Sequence, residues 1–297
     1  MTTTDLAQTC VTLPQQTIPW TLTAVAPIHH GSGTAGNTAL LRTQEIVLPD
    51  GTQTAVPFVS GNSIRHAIRD ALAWRLVRTL GVAEGGLTKG AVDLLWSGGA
   101  LTKTGSQVEL DQARRWTELV PALGLLGYSA QSDIVTGALR ADNLNLICVE
   151  NRWRLPAYLA EHPHAGLPAG RFRGEVFGTR HDVAGTGVDI LVASGMVQPT
   201  STQMIYEHQV LLPGAALWGG LYLDAATPTA QDALHAALTD ITAAGTVQVG
   251  AKRSAGFGTC LATFPAGGID PAAAARHTAH LQAHGDAILA AIGEATA

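Results

Sequence analysis

Charge is scarce in this chain. Only 14% of its 297 residues are Asp, Glu, Lys or Arg, against about a quarter in ordinary soluble proteins. Basic residues are not in excess either: 18 Lys and Arg stand against 23 Asp and Glu, a formal net charge of −5. A uniformly basic nucleic-acid binder is therefore excluded, and only local positive strips remain possible. The three cysteines, Cys10, Cys148 and Cys260, share no metal-type spacing, and so sparse and odd a set fits a reducing cytosol. No apolar run approaches the roughly 18 residues of a membrane span. The polar N-terminus lacks the h-region of a signal peptide, so the expectation is a cytoplasmic protein with no membrane partner. Also missing are the G-x-x-x-x-G-K-[ST] triphosphate loop, the G-x-S-x-G elbow, a metallohydrolase helix motif and any Cys/His set with zinc spacing. The expectation is accordingly no cofactor and no metal.

What is present is a large apolar fraction, 46%, ample for a full core. Residues 18–28 alternate as a half-buried strand, and a flexible loop from His29 to Asn37 follows. Leu40–Leu48 and Thr54–Val59 flank Pro49-Asp50-Gly51 and read as a hairpin. A helix runs from the Ser60–Asn62 cap to Leu80 and ends at Gly81. Helical patterns recur at 88–96 and 110–126, the second interrupted by Pro121. Leu139–Val149 reads as a strand, whereas residues 160–200 carry no period, which in a compact domain marks a functional or mobile stretch. Gln203–Leu211 and Ala216–Asp224 read as a second hairpin around Pro213-Gly214. An amphipathic helix at 229–244, strands at 246–249 and 259–264, and an Ala-rich helix at 271–293 complete the chain. The fold class is α+β: a ferredoxin-like, RRM-type antiparallel sheet with helices and large insertions.

Two segments carry chemistry. In the turn before the first helix, Ser60, Gly61, Asn62 and Ser63 leave the first N–H groups open where the macrodipole favours an anion, and Arg65 and Arg69 share a face near that end. An ordinary capped helix with surface arginines is the plainer reading of the same residues. In Gly250-Ala251-Lys252-Arg253-Ser254-Ala255-Gly256-Phe257-Gly258, two cations sit in a glycine-flanked turn and Phe257 is placed to pack or to stack on a base. A tight β-connection is the plainer reading there. Together they point to a phosphate backbone, and to RNA. His29 and His30 suit proton transfer, metal binding or simple ligand contact, and Met204 and Tyr206 read as strand core.

Four segments in order resemble the RAMP superfamily of CRISPR-associated proteins, specifically the group-seven backbone subunit of class 1 crRNA effector complexes. Val56-Pro57-Phe58-Val59-Ser60-Gly61-Asn62-Ser63-Ile64-Arg65 is similar to the family's helix entry. Gly124-Leu125-Leu126-Gly127 with Thr136-Gly137-Ala138-Leu139-Arg140 is similar to its middle block. Gln203-Met204-Ile205-Tyr206-Glu207 with Leu212-Pro213-Gly214 resembles its second-half hairpin, and Gly250–Gly258 resembles its glycine loop. The likeness spans roughly residues 18–264, and the middle block and the Gln203–Glu207 strand lean towards type IV.

The resemblance implies a single domain, 1–297, shaped like a hand: an RRM-type palm, a fingers-like helical insertion at 81–135 and a thumb-like irregular insertion at 160–202. It implies guide RNA, target nucleic acid paired to the guide, copies of itself in a helical stack and other effector subunits as partners. The RNA-contact residues it implies, with those the two motifs suggest, are His29, His30, Asn37, Arg42, Ser60, Gly61, Asn62, Ser63, Arg65, His66, Arg69, Arg140, Met204, Lys252, Arg253, Ser254, Gly256 and Gly258. Type III relatives cut target RNA with an aspartate in the loop after the first strand. Here His29–Asn37 contains no acid, and the nearest downstream aspartate is Asp50. A non-catalytic scaffold is the expectation. The alternative is a RAMP-type, metal-independent endoribonuclease that processes precursor guide RNA through His29 or His30. A third reading is a small-molecule enzyme whose glycine loops hold a phosphate.

Overall fold

A computed structural model describes residues 15–101, 108–180, 204–265 and 268–296. Strand β1 (Gln16–Ala24) buries Ile18, Trp20, Leu22 and Ala24 on one face, as its alternation predicts. It stops at Ala24 rather than Ile28. Val25 and Ala26 both donate to Thr259 O, and single bridges then join Ile28 to Leu211 and His29 to Ala251. The expected flexible loop is instead a short hairpin, β2 (Gly31–Ala35) and β3 (Thr38–Leu41). Arg42 separates β3 from the next hairpin, β4 (Thr43–Val47) and β5 (Gln53–Val59), which turns at Gly51 with φ +85°.

Helix α1 (Gly61–Leu80) is capped by Ser60, whose Oγ accepts from Asn62 N, and closed by Gly81 in the left-handed region at φ 61°. Its stripe of Ile64, Ile68, Leu72 and Leu76 faces the core. The short α2 (Lys89–Val92) runs into one π-helical turn at Asp93–Ser97. The 110–126 pattern breaks at proline: α3 (Leu110–Leu119) ends, Val120 takes φ −112° and ψ 84°, and α4 (Pro121–Leu126) begins. A hairpin of β6 (Gly127–Ala130) and β7 (Asp133–Thr136) follows.

The strand expected at 139–149 is two pieces, β8 (Leu139–Ala141) and β9 (Leu144–Leu146). Between them Asp142 N donates to Gly220 O, while Asn143 Oδ1 turns away to accept from Gly61 N. Short 3-10 turns carry the chain from Val149 to Phe172. Then comes β10 (Arg173–Arg180), inside the stretch that had no readable period. It pairs along its whole length with β11 (Met204–Leu211). The connection 181–203, and with it the outer half of the insertion expected at 160–202, lies outside the described residues.

The expected hairpin of 203–211 with 216–224 is overturned. Strand β12 (Ala216–Leu223) pairs with β1 on one side and with β8 and β9 on the other, so it has no free edge for β11. Pro213-Gly214 passes the chain between two sheets. Helix α5 (Pro228–Ile241), capped by the Thr227 hydroxyl on Ala230 N, leads to β13 (Thr246–Gln248) and β14 (Thr259–Thr263), and α6 (Ala273–Ala283) and α7 (Gly285–Thr296) close the chain.

The principal sheet runs β13-β14-β1-β12-β9-β5-β4, with β8 also on β12. Trp20, Leu22, Ile68, Leu217 and Leu234 belong to the core it shares with α1 and α5. A second core, with Leu94, Trp116, Leu123, Ile288 and Ile292, unites the segment after α1 with α7. A smaller sheet, β10-β11-β3-β2, contains one parallel pairing, Glu207 opposite Thr38 and His208 opposite Ala39. The architecture is α+β with mainly antiparallel sheets. Among the described residues no helix is long and apolar enough to cross a membrane.

Candidate nucleic-acid interface

The glycine loop is built by close approaches. A Cβ on Gly250 would lie 2.5 Å from His29 O, and one on Gly258 would lie 2.0 Å from Val249 O. Gly256 meets nothing but needs φ +82°. Lys252 itself adopts φ +63°, an uncommon conformation for a side chain-bearing residue, and a single 3-10 turn, Arg253–Ala255, follows. Lys252, Arg253 and Ser254 are exposed, and neither cation forms an ion pair among the described residues.

The histidine pair ties this loop to the helix entry. His29 is only 4% exposed: its carbonyl accepts from Ala251 N at 2.8 Å, and its Nδ1 lies 2.8 Å from Gln209 O. His30 points the other way, and its Nε2 accepts from Ser60 N at 3.2 Å. Burial, with Arg42 and then His29 beside it, pushes the His30 pKa down to about 4, so the ring is neutral and able to accept. The unfolded chain takes up this proton near pH 6.5 and the folded chain only near 4. Stability is thus fully present above 6.5 and falls as pH drops towards 4. His30→Gln, which keeps an acceptor but does not titrate, is expected to flatten the fall in melting temperature between pH 6.5 and 4.5. An unaltered slope would refute the assignment.

At the helix entry the N–H groups expected to stand open are occupied. Gly61 N donates to Asn143 Oδ1, Asn62 N to Ser60 Oγ and Ser63 N to Ser60 O. Gly61 is there for packing, since a Cβ would come within 2.2 Å of Ala141 O. The arginine pair also turns inward. Arg65 donates to Leu139 O and to Leu126 O, the latter at 2.6 Å, and Arg69 Nη2 donates to Gly127 O at 2.8 Å and Leu126 O at 3.3 Å. They satisfy the carbonyl end of α4, where a cation is favoured. Burial lowers both pKa values, that of Arg69 to about 10 with Arg65 adding to the effect.

The other expected residues are dispersed. Arg42 is exposed with its Nε on Gly31 O, Asn62 and His66 are exposed on α1, and Ser63 is half-buried. Arg140 is exposed on β8 with its guanidinium 4.0 Å from the Tyr222 ring centre. Met204 begins β11, and its side chain lies outside the described residues.

What the structure does bring together is a cleft of 640 Å³ between the glycine loop, the β10/β11 ribbon and the β2/β3 hairpin. Asn37, Lys252, Ser254, Phe257, Tyr206 and Phe177 line it. Phe177 is 66% exposed and Tyr206 39%, so Tyr206 is not the core residue its strand pattern suggests. His208 stands at the back, its ring 5.3 Å from Tyr206, 5.9 Å from Phe257 and 5.2 Å from His29. Burial first, then Lys252 and His29, lower its pKa. On the ribbon, Glu207 accepts from Thr38 Oγ1 at 3.0 Å, and its hydrogen bond with Glu175 raises the Glu175 pKa. Phe177 escaped the sequence reading; the one signal for it is an aromatic in a stretch with no apolar period.

Exposed aromatics beside a lysine ammonium can stack bases while holding a phosphate backbone. No family model and no curated protein sequence matches this chain. Among solved structures, it is similar to a chain titled "Type IV-B CRISPR Complex", at 20% identity and a TM-score of 0.58 over 86% of this chain and 92% of that one. The likeness is one of fold.

Proposed function

We propose that this protein is an RNA-binding backbone subunit of a CRISPR effector complex of type IV character, cytoplasmic and non-catalytic. It holds guide RNA, stacks with copies of itself and presents the guide for target pairing alongside other subunits. The carrying observation is the cleft that Phe177, Tyr206 and Phe257 line together with Lys252. The fold shared with a chain of a type IV-B CRISPR complex supports the setting. The strand order β14-β1-β12-β8/β9, with α1 following β1 and α5 following β12, supports a ferredoxin-like palm. The proposed thumb is the β10/β11 ribbon, and the proposed fingers are the helical region after α1.

The histidines offered for cleavage are engaged elsewhere, His29 buried against Gln209 O and His30 accepting from Ser60 N. That supports a scaffold over a ribonuclease. Base–aromatic stacking contributes about 1–3 kcal/mol per base. Phe177→Ala, at an exposed ring, is therefore expected to weaken retention of single-stranded RNA by roughly tenfold, at ~1.4 kcal/mol per decade, with the melting temperature unchanged. Filter binding with labelled RNA checks this, and undiminished retention refutes the cleft as the binding site. The same RNA on a denaturing gel is expected to stay intact. Discrete cuts that vanish in His29→Ala or His30→Ala would restore the nuclease reading.

A further inference from the structure

Histidines also gather away from the cleft, at the end of α6. His280 and His284 are four residues apart there, so their side chains leave the same face of the helix. Their ring centres are 4.9 Å apart, with the ring planes at 55°. A backbone carbonyl orients the first of them: His280 Nε2 lies 3.1 Å from Leu119 O, on the last residue of α3. A carbonyl only accepts, so Nε2 carries the proton and the lone pair of the neutral ring is on Nδ1. His284, the residue that closes α6, is exposed, and its ring makes no hydrogen bond among the described residues.

The other paired histidines are committed. His29 and His208 stand ring to ring at 5.2 Å, but Lys252 acts on His208 and its ammonium would repel a second cation. His30 accepts from Ser60 N, and His162 spends Nδ1 on the backbone N–H of His164. His277, one turn before His280, is buried with its Nδ1 unpartnered. No group of three His, Cys, Asp or Glu suited to a metal occurs among the described residues. Two imidazoles are therefore the whole protein share of any site at His280 and His284, and water fills the other positions.

The geometry points to a divalent transition-metal site at His280 and His284, in which the ion clips the last turn of α6. A histidine ligand characteristically donates its other ring N–H to a carbonyl or carboxylate, which fixes the tautomer and orients the ring. His280 has that arrangement with Leu119 O. Two imidazoles at i,i+4 suit Cu²⁺, Ni²⁺ or Zn²⁺, whereas Mg²⁺ and Ca²⁺ require oxygen ligands. The role assigned to the ion is structural. Through His280 and Leu119 O it ties the α6–α7 junction to the end of α3, beside the second core, to which Leu119, Leu281 and Ile288 all contribute. Neither histidine lines the aromatic cleft, so the inference stands apart from the RNA-binding reading.

The test is thermal melting of the full chain, untagged and nuclease-treated, with Ni²⁺ alone as the probe. An ion held only by the folded form should raise the melting temperature by about 4 °C when free Ni²⁺ is a hundredfold above its Kd. Cu²⁺ should act at lower concentration than Ni²⁺, and Mg²⁺ should do nothing. His284→Ala removes an exposed ring that has no hydrogen bond. It should melt within about 1 °C of wild type without metal and lose the Ni²⁺ shift. His280→Ala should lose the shift as well, from a lower starting temperature because Leu119 O loses its donor. Each variant is read as its difference with and without Ni²⁺, and if His280→Ala does not fold, His284→Ala decides alone. A Ni²⁺ shift of equal size in His284→Ala overturns the inference, because histidines elsewhere would then hold the ion. A wild-type melting temperature that Ni²⁺ leaves unchanged overturns it too, as does an equal rise with Mg²⁺.

Discussion

Gly258→Ala is expected to lower the melting temperature by about 10 °C, while Gly256→Ala, two residues earlier, shifts it by only a few degrees. The two glycines look alike in the sequence and both adopt positive φ, +85° and +82°. Their surroundings differ. A methyl on Gly258 would sit 2.0 Å from Val249 O and 3.1 Å from Val249 C, which is backbone and has no rotamer to yield. The same residue closes the neck of the loop, where Gly258 N donates to Pro27 O and Gly258 O accepts from Val249 N. Relieving the clash costs those bonds as well as the dihedral strain, about 3 kcal/mol or more together. At Gly256 no atom lies within 4 Å of the added carbon, and only the left-handed conformation is penalised, about 1 kcal/mol. Scanning fluorimetry on both variants checks the contrast. Equal shifts would show that the neck can open to admit a side chain.

The double variant Arg65→Ala/Arg69→Ala should lose about 3 kcal/mol of stability, since a hydrogen bond from a charged group to a carbonyl contributes about 1.5–3 kcal/mol and solvent access reduces the total. RNA affinity measured well below the melting point should stay within about twofold of wild type, a difference of ~0.4 kcal/mol. This is the reverse of the expectation drawn from spacing alone, in which the pair meets phosphate and stability hardly changes. The reversal follows from where the guanidinium groups point. Leu126 O ends α4, Gly127 O begins β6 and Leu139 O begins β8, and without the arginines these carbonyls lose those hydrogen bonds. Urea denaturation together with filter binding separates the two pictures. Intact stability with lost RNA binding would return the arginines to the interface.

Much of the frame could be read before the structure. Ile18, Trp20, Leu22 and Ala24 announce β1 by alternation, Ser60 and Gly81 bracket α1, and Pro121 divides α3 from α4, because each signal is local. The α+β class follows from their order. Pairing is not local. The pattern of β11 gives its faces but not its neighbours, and it pairs with β10 and β3 instead of β12. Strand β10 was invisible because it covers no core: Arg173, Glu175, Phe177 and Thr179 are all exposed, and a strand solvated on its broad face has no apolar period to display. At the candidate site, Lys252, Ser254, Asn37 and Phe257 were legible as loop residues. Phe177 and the exposure of Tyr206 were not, because exposure of an aromatic is a property of tertiary packing. The inward turn of Arg65 depends on carbonyls 61 and 74 residues away in sequence.

The small sheet β10-β11-β3-β2 has no further strand beyond β10 or β2 among the described residues. Two bare flanks on one sheet are an invitation to fibrous self-assembly in any concentrated solution. The chain protects each flank differently. Strand β2 is five residues of Gly, Ser, Thr and Ala, offset by a bulge between Gly31 and Gly33, so it is too short and too irregular to template a long ladder. Strand β10 is longer and carries Arg173 and Glu175 at its base, where opposite charges make an unpaired copy a poor match for itself unless it arrives in one register. The guards on the two edges are thus two charged side chains and one kink, none of which belongs to the core.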